Sequence, residues 1–274
     1  MNLINASYKI VEQLPGLEGV FKQIELAGRT CYKSEDRITE DSAKGFVDRM
    51  IASGHGAMLE HGTIYLKLDM TSREVYFKYC YNKYSKANSI GAAEYGTWQG
   101  FVTTNLRVIV ENYWMEDLQY ICEPTEHHEK RICVRYTSDI HFYKDTTRHR
   151  VFSWAIESTR FCNYIKEKFG SSVSFLTPVW LKEEEELEFE EDLRTIESIY
   201  FKWINKGWQP QQAAYFLIQG TKAEIFMTGF VSDYEHFFDL RSDLAKTGKP
   251  HPTVSELVEP LRQEFIERGL IWEK

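Results

Sequence analysis

The sequence lacks a long apolar run. It also lacks a basic stretch followed by a short apolar run. No segment approaches the ~18 consecutive apolar residues that a membrane-spanning helix requires. The N-terminal residues MNLINASYKIVEQLPG do not have the pattern of a signal peptide. We therefore expect a soluble, cytoplasmic protein with no membrane partner.

Paired cysteines are also missing. The cysteines number five and are scattered, and none of them forms a CxxC pair. This pattern indicates neither a zinc ribbon nor a disulfide framework, so we predict reduced thiols and no metal site. The five positions are Cys31, Cys80, Cys122, Cys133 and Cys162.

Positive charge is in deficit, since 33 Lys and Arg residues face 41 Asp and Glu residues and leave a net charge of −8. Affinity for nucleic acid rests on neutralising many phosphates, so a general nucleic-acid binder is excluded, whereas a small anion in a local basic pocket is not. A hydrophobic content of 43% with 15% aromatics is enough for a substantial core. With no repeat or linker, residues 1–274 are predicted to form one large domain.

Periodicity predicts an α+β fold, with a mixed or antiparallel sheet surrounded by helices. An acidic run over residues 182–192 leads into a long amphipathic helix pattern. Residues 72–100, rich in Tyr, Lys, Asn and Gly, are interpreted as an insert in which a helix fades into a mobile loop. The predicted strands are Thr63–Met70, Phe101–Glu111, Arg131–Ser138 and Thr221–Phe230. The other predicted helices are Leu17–Tyr32, Ser42–Ser53, Asn112–Tyr120, Ser232–Leu240 and Thr253–Arg268.

The densest cluster of chemical groups lies between Arg148 and Tyr164. In extended backbone Arg148 and Arg150 would share one face and His149 the other. The arginine fork suits phosphate because it donates two parallel hydrogen bonds, and hydroxyl groups follow directly before Arg160. The cluster indicates an anion site, and the alternative is a solvated basic edge that pairs with the acidic helices.

Two further clusters contain histidine. In Gly54–His61 the two histidines are six positions apart, whereas helical zinc pairs are four apart, so a helix end followed by a polar loop is favoured over a metal site. In Asp233–Arg241 the arginine stands near the end of a predicted helix, where a cation is favourable by itself.

Four blocks of the sequence, in order, resemble the flavin-dependent thymidylate synthases, the family called ThyX. The most specific is Arg148-His149-Arg150 followed after seven residues by Ser158. The others are Ala27–Tyr32, Gly54–His61 and His236–Arg241. Each block alone is weak, but together they span most of the chain, so the chain is identified as a divergent member of this family.

The resemblance implies an activity. Such enzymes methylate dUMP at C5 of uracil, with the carbon from methylenetetrahydrofolate and the reducing equivalents from NADPH through FAD. They bind FAD between the subunits of a homotetramer and need no cysteine nucleophile. The flavin carries out the difficult step, while the protein positions the nucleotide and folate substrates.

The resemblance also implies roles for individual residues. Arg241 would stabilise negative charge on the uracil when C5 acts as nucleophile, and Ser158, Thr159 and Arg160 would hold the phosphate. The expected catalytic residues are Arg241, Arg148 and Ser158. The expected dUMP contacts are Asp145, Arg148, Ser158, Thr159, Arg160 and Arg241. The expected FAD contacts are Cys31, His55, Ala57, Glu60, Arg148, His149, Arg150, Val151, His236 and Leu240.

The sequence departs from the family pattern at positions that would face the base. Ile156 stands where Glu or Gln is usual, and Ala214 where an arginine helps to hold dUMP. Asp145 replaces Gln or Glu, and Ile218-Gln219 replaces Pro-Asn. Two alternatives to a thymidylate synthase therefore stay open: a relative that modifies another pyrimidine nucleotide at C5, and a non-catalytic protein that binds FAD or a nucleotide.

Overall fold

The structure of the chain, a computed structural model, describes residues 1–158, 164, 172–246 and 248–273. It confirms the predicted α+β class. The strands are β1 (Asn2–Ile4), β2 (Ser7–Val11), β3 (Thr63–Leu68), β4 (Lys86–Ile90), β5 (Gln99–Asn105), β6 (Arg131–Asp139), β7 (Ser153–Ile156), β8 (Ser174–Leu176) and β9 (Lys222–Phe230). The α-helices are α1 (Gly16–Cys31), α2 (Ser42–Ala52), α3 (Arg73–Cys80), α4 (Leu106–Glu111), α5 (Ile140–Thr146), α6 (Glu186–Asn205), α7 (Pro210–Ala213), α8 (Val231–Arg241) and α9 (Pro252–Glu267).

A four-stranded antiparallel sheet, the central sheet, positions the candidate site residues. Its strand order is β2-β6-β9-β7, which leaves β7 at an edge. Successive side chains of a strand point to opposite faces. In β9 the polar residues Lys222, Glu224 and Thr228 alternate with Ile225 and Met227. The two faces of the central sheet therefore differ in chemistry.

Helices cover both faces of the central sheet. On one face α1 and a 3₁₀ helix (Gly56–His61) pack over Cys133, Ala155 and Phe226. On the other face α5, α8 and α9 enclose a second cluster, which includes Val134, Ile225, Met227 and the aromatic residues of α8. Polar residues on the first face are thereby buried under α1, which requires them to find partners inside the protein.

The interpretation of residues 72–100 as a helix fading into a loop is wrong in its second half. After α3, strand β4 pairs antiparallel with β5, which in turn pairs with β3. Backbone hydrogen bonds to β5 hold β4, although most of its residues are exposed and give no apolar alternation. The contribution of a partner strand is not visible in local sequence.

The predicted strand Phe101–Glu111 is also wrong beyond Asn105. There the chain turns into α4, and the Asn105 side chain accepts a hydrogen bond from the Val108 N–H (3.2 Å). Asn is a favoured N-cap because its side-chain oxygen satisfies an otherwise unpaired N–H of the first turn. The apolar run that follows Asn105 is compatible with a strand or with a helix, and the Asn105 cap favours the helix.

Two short strands near the N-terminus were not among the predicted strands. β1 pairs parallel with β8, and β2 pairs antiparallel with β6. Neither has more than five residues, so each depends on its partner for stability. Within the described ranges no helix is both long and apolar enough to cross a membrane. One domain over residues 1–274 stays a prediction.

Candidate functional site

The His236–Arg241 block contacts the Arg148–Arg150 block through Arg241. From the end of α8, its Nη1 lies 2.7 Å from Oδ2 of Asp145, and its Nη2 donates to the Asp145 carbonyl oxygen at 3.0 Å. Its Nε donates to Nε2 of His149 at 3.1 Å. These bonds fix the plane of the guanidinium. One N–H on each terminal nitrogen remains without a hydrogen bond in the described part of the chain.

His149 is held as a neutral imidazole. Burial lowers its pKa to about 4, and the charge of the neighbouring Arg241 acts in the same direction. Because Nε2 accepts from Arg241, the single proton of the neutral ring belongs on Nδ1. The ring packs edge-on against Phe237 with centroids 5.0 Å apart. His236, one position earlier on α8, lies 6.1 Å away by the same measure.

We expect His149→Gln to reduce the loss of stability on acidification. The folded pKa of His149 lies below the ~6.5 of an unfolded chain, so its contribution is complete above pH ~6.5 and is lost as the pH falls toward 4. Between these limits the wild type should lose about 1–2 kcal/mol more unfolding free energy than the variant. Urea unfolding at several pH values measures the difference, and parallel curves would contradict it.

Arg148, Arg150 and Val151 are exposed around the buried His149. The backbone here is a turn rather than a strand, yet the predicted separation of the two arginines from His149 is found. Val151 is 62% exposed. Neither arginine forms an ion pair with any described residue. For these two side chains the structure therefore does not show the alternative interpretation, in which they would pair with the acidic helices.

Ser158 lies beyond the other end of β7, next to Cys31. Its N–H donates to the Cys31 carbonyl oxygen at 3.1 Å. Burial raises the pKa of the Cys31 thiol to about 12, so this sulfur is a neutral packing group and not a nucleophile. The predictions for Thr159 and Arg160 fall outside the described residues.

The predicted flavin loop lies against the end of α1. Nδ1 of His55, on the exposed stretch before the 3₁₀ helix, is 2.8 Å from the Tyr32 hydroxyl. Ala57 is half-buried against the core under α1. The Glu60 carboxylate pairs with Arg107, Nη1 to Oε1 at 2.5 Å. Leu240, another expected FAD contact, is half-buried on α8 and is far from this loop in sequence.

A buried charge network beside Ser158 was missed from the sequence. Glu157 pairs with Lys33 (3.0 Å) and Lys222 (2.9 Å), and Lys222 also pairs with Glu224 at 2.8 Å. Arg135 completes the network at 2.9 Å from Glu224. Burial alone would lower the pKa of Lys222, but the two carboxylates raise it overall. The signal available in the sequence was Lys222 and Glu224 two positions apart in a largely apolar strand.

We expect Lys222→Met to destabilise the protein by about 3 kcal/mol, since it removes the cation that two buried carboxylates share and leaves Glu157 with Lys33 alone and Glu224 with Arg135 alone. Lys44→Met is the matched control, because Lys44 pairs with Asp48 on the surface of α2, where the side chains are 73% and 56% exposed. That change should cost less than ~1 kcal/mol. Denaturant unfolding of both variants decides it, and equal losses would be inconsistent with a network that contributes through burial.

Strand β7 separates the two groups of predicted site residues within one chain. Arg148 and His149 come before it in the chain, with Arg241 in contact with His149, and Ser158 follows it. Its four residues, at about 3.3 Å per residue, keep the two ends about 10 Å apart. The cavity at the Ser158 end has a volume of about 360 Å³ and is lined by Lys33, Glu157 and Lys222 among others.

Residues 76–249, more than half of the chain, match the family model described as thymidylate synthase complementing protein, Thy1. The chain belongs to the Thy1 family. The family assignment made from the four sequence blocks is thereby confirmed. The matched range contains Asp145, His149, Ser158 and Arg241, so the contact between Arg241 and the Arg148–Arg150 turn lies within the Thy1 part of the chain.

Individual proteins are similar to this Thy1 chain to a smaller extent. A flavin-dependent thymidylate synthase of Pyrococcus furiosus is 28% identical over 96 residues, which are 34% of this chain and 38% of the relative. The match therefore spans well under two thirds of that relative. Solved structures of a UMP/dUMP methylase, PolB, from Streptomyces cacaoi give TM-scores of 0.44 with 5-Br dUMP bound and 0.46 with 5-Br UMP bound. These alignments have 13% and 12% identity and cover 97% of this chain and 93% and 92% of PolB.

Proposed function

We propose that this protein is a flavin-dependent enzyme that methylates a pyrimidine nucleoside monophosphate at C5, with dUMP as substrate and dTMP as product. Methylenetetrahydrofolate would supply the carbon and NADPH the reducing equivalents. The observation that carries the proposal is the anchored Arg241, which Asp145 and His149 hold from a segment more than ninety residues away in sequence. Membership of the Thy1 family supports it.

Arg241 would bind the uracil carbonyl. Asp145 and His149 use three of its five N–H groups and leave one on each terminal nitrogen. Because the guanidinium is already oriented, little reorganisation would accompany the growth of negative charge on the base. Asp145, predicted to contact dUMP, would act by orienting Arg241. Arg148 would contact the same nucleotide from the Arg148–Val151 turn.

The donor set at the Arg148–Val151 turn fits part of FAD. Two exposed cations without an ion pair in the described ranges suit a diphosphate, and exposed Val151 and His236 offer apolar and aromatic surface. When bound, FAD would supply the hydride chemistry of the reaction. His55, Ala57, Glu60 and Cys31 would form the second wall of its pocket, with His149, Arg150 and Leu240 opposite.

We propose that Ser158, with Thr159 and Arg160 after it, binds the nucleotide phosphate. Lys33 and Lys222 lie next to Ser158 but are committed to carboxylates. Their role would be to fix Glu157, and through it the backbone that presents Ser158. The phosphate would then depend on Arg160 and the serine and threonine hydroxyls, which match its charge and acceptors.

The assembly is proposed to be a homotetramer whose sites combine residues from more than one chain. In one chain the turn that contacts Arg241 through His149 lies before β7 and Ser158 lies after it. We propose that one nucleotide contacts Arg241 of one chain and Ser158 of another, where the chains meet at the β7 edge. The exposed Val151 beside this edge supports such a contact.

One specific observation favours a different pyrimidine nucleotide as the substrate. Ile156 packs with the apolar cluster under α8 and α9, and Glu157 beside it is committed to Lys33 and Lys222. Neither side chain is available as the carboxylate or amide that the family usually presents to the base. A base or C5 substituent that needs no such partner would fit equally well.

Flavin absorbance and product identity test the proposal. The purified protein is expected to be yellow and to release tritium from C5-labelled dUMP when folate and NADPH are present, with dTMP identified by mass. Release without dTMP would favour the alternative substrate. A colourless protein that cannot take up FAD would rule out both enzymatic functions and leave only a nucleotide-binding one.

A further inference from the structure

Two histidines from distant parts of the chain are in contact, and neither is among the residues predicted to bind substrate or cofactor. The ring centroids of His141 and His251 lie 3.8 Å apart, with 33° between the ring planes. His141 is the second residue of α5, and His251 immediately precedes α9. These helices pack against each other on one face of the central sheet. The histidine pair therefore joins the start of α5 to the start of α9.

His251 is the N-cap of α9. Its carbonyl oxygen accepts hydrogen bonds from the N–H groups of Val254 (2.8 Å) and Ser255 (3.1 Å). Its ring Nδ1 accepts from the Thr253 N–H at 3.4 Å and contacts the Thr253 hydroxyl at 2.8 Å. Because a backbone N–H can only donate, Nδ1 is an acceptor and the neutral ring carries its proton on Nε2. The side-chain cap therefore requires a neutral His251.

Protonation of His251 would remove the side-chain cap. A cationic imidazole donates from both nitrogens, so it can no longer accept from the Thr253 N–H, although the Thr253 hydroxyl could turn a lone pair toward it. The ring would also bring a positive charge to the N-terminus of α9, where the helix dipole is itself positive. If His141 were charged as well, the two rings would repel each other across 3.8 Å. Acid therefore acts against the contacts that neutral His251 makes.

The α5 side of the histidine pair is held by the backbone around it. The Asp139 side chain caps α5 by accepting from the Phe142 N–H at 2.7 Å. The Ile140 N–H donates to the Gln219 carbonyl oxygen at 2.9 Å. Neither bond involves the His141 ring, so the start of α5 stays fixed when the contact between the rings is lost. His251 and the first turn of α9 are the part that would move.

The charged groups around His251 have opposing effects on its protonation. Burial lowers the pKa of His251, and His141 acts in the same direction. The carboxylates of Asp139 and Asp145 act in the opposite direction without reversing the shift. Burial and Asp139 raise the pKa of Glu256, on α9, to about 7. Glu256 has therefore lost most of its charge by about pH 5 and offers little compensation to a protonated His251.

Trp180 adds an uncharged neighbour, since its ring packs edge-on against His251 with centroids 5.5 Å apart. Lys144 and Lys249, the cations closest in sequence to the two histidines, are exposed. The folded pKa of His251 lies below the ~6.5 of an unfolded chain. The stabilisation that neutral His251 provides is therefore complete above pH ~6.5 and is lost as the pH falls through the folded pKa.

We propose that the histidine pair is a pH-sensitive latch between α5 and α9. With His251 neutral, the latch is closed: the ring caps α9 and stacks on His141. With His251 protonated, the latch is open and the first turn of α9 is released from α5. The latch acts on the helix that carries Asp145, but the inference does not depend on the proposed function.

Amide hydrogen exchange of the full chain at about pH 7.5 and about pH 5, corrected for the intrinsic rate at each pH, tests the proposal. In the wild type the protection of the Val254 and Ser255 amides should fall about 10-fold in acid, since a cap is lost and a cation is left at the helix N-terminus. His251→Asn retains a favoured cap without a titrating ring, so its protection should change less than about 2-fold. The control His127→Asn changes a histidine that contacts Phe101 instead, and it should behave like the wild type.

Two further variants separate the latch from other causes. Glu256→Gln cannot titrate and should still lose protection in acid, and His251→Ser, another favoured cap, serves where His251→Asn does not fold. His149 stays largely neutral at pH ~5, because its pKa is about 4. Equal protection of the wild type at both pH values, an equal loss in a folded His251 variant, or no loss in Glu256→Gln would each overturn the latch. Because exchange is measured without ligand, an inactive or flavin-free protein does not affect the result.

Discussion

Arg241→Ala is expected to lower kcat/KM for dUMP by at least ~100-fold while leaving the bound flavin unchanged. Removing a pre-oriented donor from a developing negative charge costs ~10²–10³ in rate. Asp145 and His149 cannot replace it, because a carboxylate and a neutral imidazole acceptor offer that charge no cation. Steady-state kinetics and the ratio of flavin absorbance to protein absorbance measure the two quantities.

Two comparisons make the result for Arg241 specific. Arg268→Ala is the matched control, since this arginine lies at the end of α9 and pairs with Glu12 and Glu264; its kinetics should equal those of the wild type. Arg241→Lys keeps the charge without the fork and should recover only part of the rate. Turnover near the wild-type rate in Arg241→Ala would show that Arg241 does not bind the base.

Two inactive variants are expected to regain activity when their subunits are mixed. Ser158→Asp should repel the nucleotide phosphate, and Arg241→Ala should lose the base contact, so each alone is inactive. If the two residues of one site come from different chains, random re-assembly of equal amounts restores both residues in about a quarter of the sites. Activity should therefore rise from background to about a quarter of the wild-type value.

The mixing experiment depends on the proposal that Arg241 and Ser158 of one site come from different chains. The double variant Ser158→Asp/Arg241→Ala mixed with wild type is the control, because in that mixture each composite site again needs two wild-type chains. Light scattering should give the mass of four chains for every sample. Failure of the single variants to complement after verified subunit exchange would place both residues of a site in the same chain.

The secondary structure could be predicted where periodicity is strong. α1, α2, α9, β6 and β9 lie within a residue or two of their predicted bounds, because apolar residues at period 3.6 or 2 must face a core. β4 could not be predicted, since its backbone bonds to β5 hold it and its own residues show no pattern. The end of β5 at Asn105 depends on a cap that periodicity does not contain.

The candidate site could be predicted in its residue types but not in its arrangement. Arg148, Arg150 and Arg241 were identified as donors for anions or a carbonyl from chemistry and family resemblance. That Asp145 would orient Arg241 depends on how α5 and α8 pack on the same face of the central sheet. The network around Glu157 depends on the register that sets β7 beside β9.

The sequence by itself determined the α+β class, the Thy1 family and the chemical groups available, because these follow from local periodicity and short motifs. The burial of His149 between the exposed Arg148 and Arg150 comes from a turn and not from the extended backbone that the sequence argument assumed. Only the tertiary structure decided which charges meet: Arg241 with Asp145, and Lys222 with Glu157. The reason is that strand register and helix packing set these contacts between residues far apart in the chain, and no local pattern encodes them.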